Sequence, residues 1–365
     1  MKQYTSLYFV GAGGIGMSAL VRYFLAKGYK VAGYDRTQSP LTTELKTEGL
    51  EIVYEESVES IPDYCRNPET TLVVYTPAIP ASHAGLVYFR EHGFRVVKRA
   101  ELLGLITQSS KGLCFAGTHG KTTTSSMAAH IFHESPIGCN AFLGGILRNY
   151  NSNLILSEQS PFTVIEADEY DRSFHWLHPY MAVVTATDPD HLDIYGTEEA
   201  YLESFARFTS LIQPGGCLIM KKGIKLVPSV KENVKIYTYS ARDGGDFHAG
   251  NIRIGDGTIV FDFVMPEGSV ADIELGVPVE INIENAVAAM AIAWLNGVSG
   301  DDMRRAMASF KGAKRRFEFW VKRPDRVMID DYAHHPDELK ASIRSVKALY
   351  PGRRLSVIFL SLIHI

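Results

Sequence analysis

The sequence predicts an α/β protein in which helices cover parallel β-sheets. Two glycine-rich turns, at residues 11–16 and 117–120, each lie between an apolar strand-like run and a helical run. Strand-like and helical segments also alternate through residues 1–107. Such alternation is typical of βαβ units, which build parallel sheets. At 365 residues, the chain is long enough for two or three domains.

Residues 1–107 form the first predicted domain, which is Rossmann-like. An apolar strand at 7–10 leads into a turn that fits G-x-G-x-x-G, and a helix follows from Met17. The next strand ends at Asp35, near the place where an acid that binds a ribose would lie. Taken alone, this pattern favours NAD. Any diphosphate can use the same backbone N–H groups, however, and a purely structural turn stays open.

Residues 108–312 form the second predicted domain, a phosphate-loop α/β unit. A strand at 113–116 precedes the glycine turn, and a helix covers 125–132. The turn places backbone N–H groups and the positive end of a helix around one point. Lys121 can reach the β- and γ-phosphates, and the Thr122 hydroxyl can bind Mg²⁺. The sequence therefore predicts ATP binding, although Phe115 replaces the first glycine of the full pattern and a simple helix start with a solvated lysine is the alternative.

Two acidic loops follow predicted strands of this domain. Four carboxylates lie within residues 166–171, after a strand at 162–165, and His191 lies among three aspartates after a strand at 181–185. Ligands collect at the carboxyl ends of parallel strands, where a carboxylate can hold the Mg²⁺ of a nucleotide. His191 could be a neutral metal ligand. The alternatives are a solvated acidic loop and a structural histidine.

Residues 313–365 begin a third domain, predicted to be an incomplete Rossmann-like unit. Strands are predicted at 317–321, 327–329 and 355–359, with a helix at 336–349. Two acids and two histidines at residues 330–335 follow the second of these strands, so they form either a site or a helix cap. About fifty residues are too few for a complete domain of this kind.

Composition excludes several classes of function. A net charge of −4 and a pI near 6.3 provide no general attraction to nucleic acid or to an anionic membrane. No apolar run is long enough to cross a membrane, and the start lacks the features of a signal peptide, so we expect a cytoplasmic protein. The four cysteines are scattered without a C-x-x-C pair, which disfavours a zinc or redox site.

Taken together, these motifs resemble those of the Mur ligase family of ATP-dependent ligases. The resemblance is carried by residues 9–18, 117–124, 166–174, 190–196, 314–318 and 331–336. It implies three domains: the first binds a UDP-sugar, the central one binds ATP with Mg²⁺, and the third closes over both and helps to bind an amino acid.

The resemblance also implies roles for particular residues. It places the UDP-sugar at Gly11, Gly13, Gly14 and Gly16, with Asp35 nearby. It assigns catalysis to Lys121, Glu166 and His191, and metal binding to Thr122, Glu166 and His191. It assigns ATP binding to Gly117, Thr118, His119, Gly120, Lys121, Thr122, Thr123, Asn282, Asn285 and Asp331.

Within the family, the motifs are most similar to those of members that join L-alanine to the carboxylate of UDP-N-acetylmuramate through an acyl phosphate. That reaction makes a peptidoglycan precursor. The alternatives are a ligase that attaches a whole peptide to the same sugar nucleotide, an NAD-dependent oxidoreductase, and a noncatalytic protein that binds ATP or a UDP-sugar. No nucleic-acid or membrane partner is expected.

The sequence departs from the family at two places. Ile281 replaces a histidine that usually precedes the first asparagine of the adenine-binding pair. Residues 360–365 match nothing in the family, as a truncation or a frameshift would explain. We therefore expect a weak or inactive ligase whose helix at 336–349 exposes an apolar face.

Overall fold

The first domain is built on a five-stranded parallel sheet. The structure, a computed structural model, describes residues 3–255, 257–333 and 336–359. The strand order is β3-β2-β1-β4-β5, which is a doubly wound arrangement. The strands are β1 (Ser6–Val10), β2 (Lys30–Tyr34), β3 (Glu51–Val53), β4 (Thr71–Tyr75) and β5 (Arg95–Lys98).

Four helices cover this sheet: α1 (Ile15–Ala26), α2 (Pro40–Thr47), α3 (Ala84–Glu91) and α4 (Arg99–Thr107). Every residue of β1 is buried, as expected for a central parallel strand with helices on both faces. The first glycine loop connects β1 directly to α1, and Gly14 is the N-cap of α1. The loop therefore lies at the carboxyl edge of the sheet, where ligands of such folds bind.

The central domain is built on a ten-stranded sheet of order β15-β14-β13-β12-β11-β10-β6-β9-β7-β8. Pairing is parallel from β13 through β7 and antiparallel at both ends. The strands are β6 (Lys111–Ala116), β7 (Asn140–Leu147), β8 (Ser152–Ile155), β9 (Phe162–Glu166), β10 (Pro179–Val184), β11 (Cys217–Lys221), β12 (Lys235–Ser240), β13 (Phe247–Gly255), β14 (Thr258–Met265) and β15 (Gly268–Glu274).

The helices of this domain are α5 (Lys121–His133), α6 (Leu192–Tyr195), α7 (Glu198–Ser210), α8 (Ile281–Leu295) and α9 (Gly300–Ser309). The run from Ala286 to Ala293 is apolar on all faces, and each of its residues is fully buried. A helical run that is apolar on all faces predicts from sequence alone that the helix is buried, and the structure confirms this. The α/β fold class is confirmed as well. No helix in the described part of the chain combines the length and apolar character needed to cross a membrane.

The first and central domains are joined by buried polar contacts. Asn153, at the far edge of the central sheet, is 0% exposed. Its amide donates to Ile15 O at 2.5 Å and Ser18 Oγ at 3.0 Å, and it accepts from Arg22 Nη1 at 2.9 Å. All three partners lie on α1. A buried amide with its bonding groups used in this way fixes the orientation of α1, and thus of the first glycine loop, against the central sheet.

The third region contains an antiparallel pair, β16 (Glu318–Lys322) and β17 (Val327–Asp330), followed by α10 (Pro336–Leu349). The expectation that α10 exposes an apolar face is wrong. Leu349 is 1% exposed, and Val346 and Tyr350 pack against the core of the central domain. The Gly257 N–H donates to Leu349 O at 3.2 Å, which attaches the end of α10 to the β13–β14 turn.

The predicted strand at 355–359 is also wrong, because described residues 353–359 form no strand. Val357, Ile358 and Phe359 are 54%, 98% and 52% exposed, and no strand of the described sheets pairs with this segment. The expectations for residues 360–365, and for the two histidines at 334 and 335, fall outside the described residues.

Candidate active site

The loop between β6 and α5 has the backbone of a phosphate-binding turn. Gly117 and Gly120 adopt φ values of 136° and 83°, a region that favours glycine. A Cβ on Gly117 would overlap Thr185 and the backbone of Ala186, and one on Gly120 would lie 2.9 Å from Asn285 Oδ1. The first N–H groups of α5 lack intrahelical acceptors and open toward this loop.

Lys121 is the first residue of α5, and its side chain folds back across the loop. Its Nζ donates to Gly117 O at 2.6 Å and to Glu169 Oε1 at 2.8 Å. An ammonium group has three N–H bonds, so one remains for a further acceptor. The lysine therefore lies where an incoming phosphate would meet it.

Glu166 ends β9 beside the same loop. Its Oε1 accepts a hydrogen bond from Thr122 Oγ1 at 2.9 Å, and its Oε2 accepts one from the Gly144 N–H at 3.1 Å. Burial raises the pKa of this carboxyl above its ordinary value, while the charge of Lys121 and the Thr122 hydrogen bond act in the opposite direction. A Cβ on Gly144 would overlap the carboxylate, so any other residue there would displace Glu166 from its present position.

His191 lies in the second acidic loop, after β10. It adopts a left-handed φ of 52°, its Nε2 lies 3.7 Å from Asp190 Oδ2, and its ring packs edge-on against Tyr170 at 5.2 Å. Among the described residues, no group of three His, Cys, Asp or Glu side chains is arranged to hold a metal. Of the predicted metal set, Thr122 and Glu166 are in direct contact through a hydrogen bond, and the role of His191 stays a prediction.

Three other residues that are predicted to bind ATP, in and beside the phosphate loop, have different surroundings. Thr118 turns away from the loop, because its hydroxyl donates to Asp188 O at 2.7 Å and contacts Tyr201 Oη at 3.0 Å. His119 is exposed, and Thr123 is partly buried in the first turn of α5.

The asparagine pair lies next to the phosphate loop. Asn285 Oδ1 accepts from Thr124 Oγ1 at 3.1 Å, and Asn285 Nδ2 donates to Asn282 Oδ1 at 3.1 Å. The preceding Ile281 is 51% exposed. Asp331, by contrast, interacts within the third region, where it accepts hydrogen bonds from Ser342 Oγ and the Phe317 N–H.

The first glycine loop is closed by an acid of its own domain. Asp35 Oδ2 accepts from the Gly13 N–H at 2.7 Å, and Oδ1 accepts from the Thr37 N–H at 3.1 Å. This carboxylate therefore shapes the loop, a role that the sequence pattern does not distinguish from ribose binding. Gly11 has a φ of 90°, and a Cβ there would lie 2.7 Å from Thr76 Cγ2.

A cleft of about 340 Å³ runs from the first glycine loop to Glu166, the carboxylate that is hydrogen-bonded to Thr122 beside the phosphate loop. The first domain contributes Gly14, Gly16 and Arg99, and the central domain contributes Glu166 and Asp168. A ligand held at the first loop would therefore extend toward the carboxylate that lies next to the phosphate loop. The first glycine loop and the carboxylate beside the phosphate loop thus face the same cleft.

Two basic residues at or near this cleft were not predicted from the sequence. Arg99 lines the cleft and its Nη2 lies 3.5 Å from Asp168 Oδ2, while Lys98 Nζ donates to Asp171 Oδ2 at 2.6 Å. Lys98 ends β5 and Arg99 follows it, at a strand end where ligands collect. That position in the sequence could have identified them. Their acidic partners lie in the run that the sequence already singles out.

A phosphate loop, an adjacent carboxylate and a second glycine loop across one cleft define an enzyme of the ATP-dependent ligase class. The family model described as "Mur ligase family, catalytic domain" matches residues 6–111. Those described as "Mur ligase middle domain" and "Mur ligase, glutamate ligase domain" match residues 115–293 and 315–361. The chain belongs to the Mur ligase family, whose members form amide bonds at the expense of ATP.

Named relatives agree with these matches. A UDP-N-acetylmuramate–L-alanine ligase of Parabacteroides distasonis is 65% identical over 98% of this chain and 78% of its own length. The enzyme of the same name from Porphyromonas gingivalis is 54% identical over 97% of this chain and 78% of its own.

Solved structures are similar too. The UDP-N-acetylmuramate–alanine ligase of Thermotoga maritima has a TM-score of 0.81 at 25% identity, covering 94% of this chain and 78% of that one. A murein peptide ligase from Psychrobacter arcticus has a TM-score of 0.73 at 25% identity, covering 94% of this chain and 76% of that one.

Proposed function

We propose that this chain joins L-alanine to the carboxylate of UDP-N-acetylmuramate at the expense of ATP, in peptidoglycan precursor synthesis. The observation that carries the proposal is the cleft that runs from Gly14 and Gly16 to Glu166, beside the Lys121 loop. The names of relatives that are 54–65% identical support the choice of substrates. Use of ATP and a UDP-sugar is consistent with a reaction in the cytoplasm.

The first step activates the carboxylate of the sugar. A carboxylate oxygen attacks the γ-phosphorus of ATP, the bond to the β-phosphate oxygen breaks, and ADP leaves. Lys121 would stabilise the charge that accumulates on the transferring group, since its ammonium lies at the phosphate loop, 2.6 Å from Gly117 O. The first glycine loop would hold the diphosphate of the UDP-sugar, so that the carboxylate reaches the phosphate loop across the cleft.

The second step forms the amide. The uncharged amine of L-alanine attacks the acyl carbon, the acyl–oxygen bond breaks, and inorganic phosphate leaves with the former carboxylate oxygen. The nitrogen then loses a proton. Exclusion of water from the cleft would protect the acyl phosphate from hydrolysis.

The residues present fit Mg²⁺ as the accompanying ion. Thr122 Oγ1 and Glu166 Oε1 lie 2.9 Å apart, and oxygen is the ligand that Mg²⁺ prefers. Mg²⁺ is commonly held by one or two protein oxygens together with substrate phosphates, and it would supply charge screening of those phosphates. His191 is the third predicted ligand, and its Nε2 lies 3.7 Å from Asp190 Oδ2, an acid that could orient the ring.

The test is release of inorganic phosphate by the full chain with each substrate omitted in turn. The proposal expects release only when ATP, UDP-N-acetylmuramate and L-alanine are all present, with an amide product of the matching mass. Turnover with the tripeptide L-alanyl-γ-D-glutamyl-meso-diaminopimelate, but not with alanine, would instead favour the peptide ligase. A structural relative of that type from Psychrobacter arcticus makes this second candidate worth testing.

A further inference from the structure

Glu169 is a buried carboxylate that the proposed reaction does not use. It is 1% exposed, and both of its oxygens lie 2.8 Å from Lys121 Nζ. Oε1 accepts the hydrogen bond, whereas the buried Oε2 has no hydrogen-bond partner of its own among the described residues. Burying a carboxylate is unfavourable unless a cation accompanies it, and Lys121 is that cation. Glu169 and Lys121 therefore form a buried ion pair that is part of the loop structure.

The backbone of Glu169 is fixed as firmly as its side chain. Its carbonyl oxygen accepts from Tyr195 Oη at 2.5 Å and from the Arg172 N–H at 3.0 Å. Neither donor belongs to the phosphate loop. The carboxylate is thus presented to Lys121 from an independent element, the 3-10 helix that begins at Tyr170. Because Lys121 and Glu169 are held by separate elements, their contact can fix the position of the ammonium.

Glu169 competes with an incoming phosphate for the Lys121 ammonium. The ammonium faces two carboxylates, Glu169 directly and Glu166 through the neighbouring Thr122. A phosphate of free ATP would have to draw the ammonium away from Glu169 before Lys121 could screen its charge. A divalent cation on the phosphates already screens part of that charge, so the metal complex depends less on the lysine.

We propose that Glu169 is a positioning residue: it holds the Lys121 ammonium against Gly117 O and so makes the loop bind the metal complex of the nucleotide in preference to the free nucleotide. The inference rests on one part of the proposed function, namely that this loop binds the nucleotide. In this proposal Glu169 affects nucleotide binding by positioning Lys121, and it does not contact the substrate itself.

The experiment is calorimetric titration of the full chain with AMP-PNP, a nonhydrolysable ATP analogue, without UDP-sugar or alanine. One series contains excess Mg²⁺ and the other contains EDTA. The native chain should bind the Mg²⁺ complex at least about tenfold more tightly than free AMP-PNP. Glu169→Gln should raise the affinity for free AMP-PNP about tenfold, the scale of one hydrogen bond to a charged group, and should change that for the Mg²⁺ complex less than threefold.

A matched control is Asp272→Asn, which also removes one carboxylate from an ion pair, with Arg253 at the antiparallel end of the sheet. It should leave both affinities unchanged. Glu169→Asp keeps the charge but withdraws it by one methylene, so its affinity for free AMP-PNP should fall between those of the native chain and Glu169→Gln. This variant provides the test if the glutamine variant does not fold.

The Lys121→Met background decides whether Glu169 acts through the lysine. Adding Glu169→Gln to Lys121→Met should bring no gain in affinity for free AMP-PNP. A persisting gain would mean direct repulsion and would overturn the positioning role, as would a folded glutamine variant with native affinities. Equal native affinities for both forms of the analogue would overturn the inference while leaving the proposed function intact. Absence of all nucleotide binding would overturn both.

Discussion

At the scale of single residues, Lys121 carries the largest share of the proposed chemistry. Its position depends on Gly120, whose φ of 83° starts α5 and returns the lysine side chain to Gly117 O. A β-carbon on Gly120 would approach Asn285 Oδ1 at 2.9 Å, so the turn, the lysine and the asparagine pair are packed as one unit. Substitutions in the turn, at the lysine or in the asparagine pair should therefore alter binding of the nucleotide phosphates.

Lys121→Ala should abolish turnover while the fold is retained. Removal of one cation from a transferring phosphoryl group is expected to lower kcat roughly a hundredfold or more. The measurement is ATP-dependent phosphate release with all substrates saturating, and circular dichroism checks the fold. Near-native turnover by a folded variant would show that Lys121 has no part in phosphoryl transfer.

The place of a residue in the site could be predicted where a local sequence motif determines it. The positions of the phosphate loop and of Glu166 at a strand end could be predicted, because local strand and turn patterns define them, whereas their chemical roles stay predictions. Asp35 was ambiguous, since a carboxylate after β2 can bind a ribose or bond the Gly13 N–H, and the structure has the second arrangement. The pairing of Glu169 with Lys121 could not be predicted, because it joins residues 48 positions apart.

At the scale of elements, α5 connects the phosphate loop to the rest of the central domain through His130. This histidine is 1% exposed. Its Nδ1 lies 2.6 Å from Tyr150 Oη, and its Nε2 lies 2.9 Å from Ser309 Oγ at the end of α9. Burial lowers the pKa of His130 from 6.5 to about 4. The helix is therefore held by a neutral imidazole.

This pKa shift predicts a loss of stability in acid. Between pH 6.5 and about 4 the unfolded chain binds a proton at His130 that the native chain does not, so the free energy of unfolding decreases as the pH falls. The contribution is roughly 2 kcal/mol on going from pH 7.5 to 4.5. Urea unfolding of His130→Gln should show a decrease smaller by about this amount.

The control is His92→Gln, which removes an exposed histidine at the end of α3 and should follow the native pH dependence. An identical pH dependence for the native chain and His130→Gln would contradict the account of a buried neutral imidazole.

Elements with strong local patterns were predictable, and elements that depend on a distant partner were not. The all-apolar run of α8 predicts burial, and the helix is buried. Residues 355–359 are also largely apolar, but a strand forms only beside another strand edge, and no strand of the described sheets pairs with this segment. The apolar face of α10 could likewise not be assigned from sequence, since it packs on the β13–β14 region, far away in the chain.

At the scale of the whole molecule, the arrangement of the first two domains decides what the first glycine loop binds. The contacts of Asn153 with α1 hold that loop over the carboxyl edge of the central sheet. The resulting cleft opens toward Glu166, so a ligand at the first loop faces a phosphoryl-transfer site. That geometry suits a substrate with a reacting carboxylate at one end and a diphosphate at the other.

The full chain should therefore bind UDP-N-acetylmuramate and not NADH. Calorimetric titration with each ligand is the measurement, and the quenching or enhancement of NADH fluorescence provides an independent reading. UDP alone serves as a partial ligand, which should bind more weakly than the full sugar nucleotide. Tight NADH binding without UDP-sugar binding would reverse the assignment of the first domain.

The central claim is that the carboxylate is activated as an acyl phosphate across this cleft, and isotope transfer tests it most directly. UDP-N-acetylmuramate labelled with ¹⁸O in both carboxylate oxygens is turned over with ATP and L-alanine, and the released phosphate is analysed by mass spectrometry. The account predicts one ¹⁸O atom in each phosphate, because the oxygen that attacks the γ-phosphorus leaves with it when the amide forms. Phosphate without ¹⁸O, released together with the amide product, would contradict it.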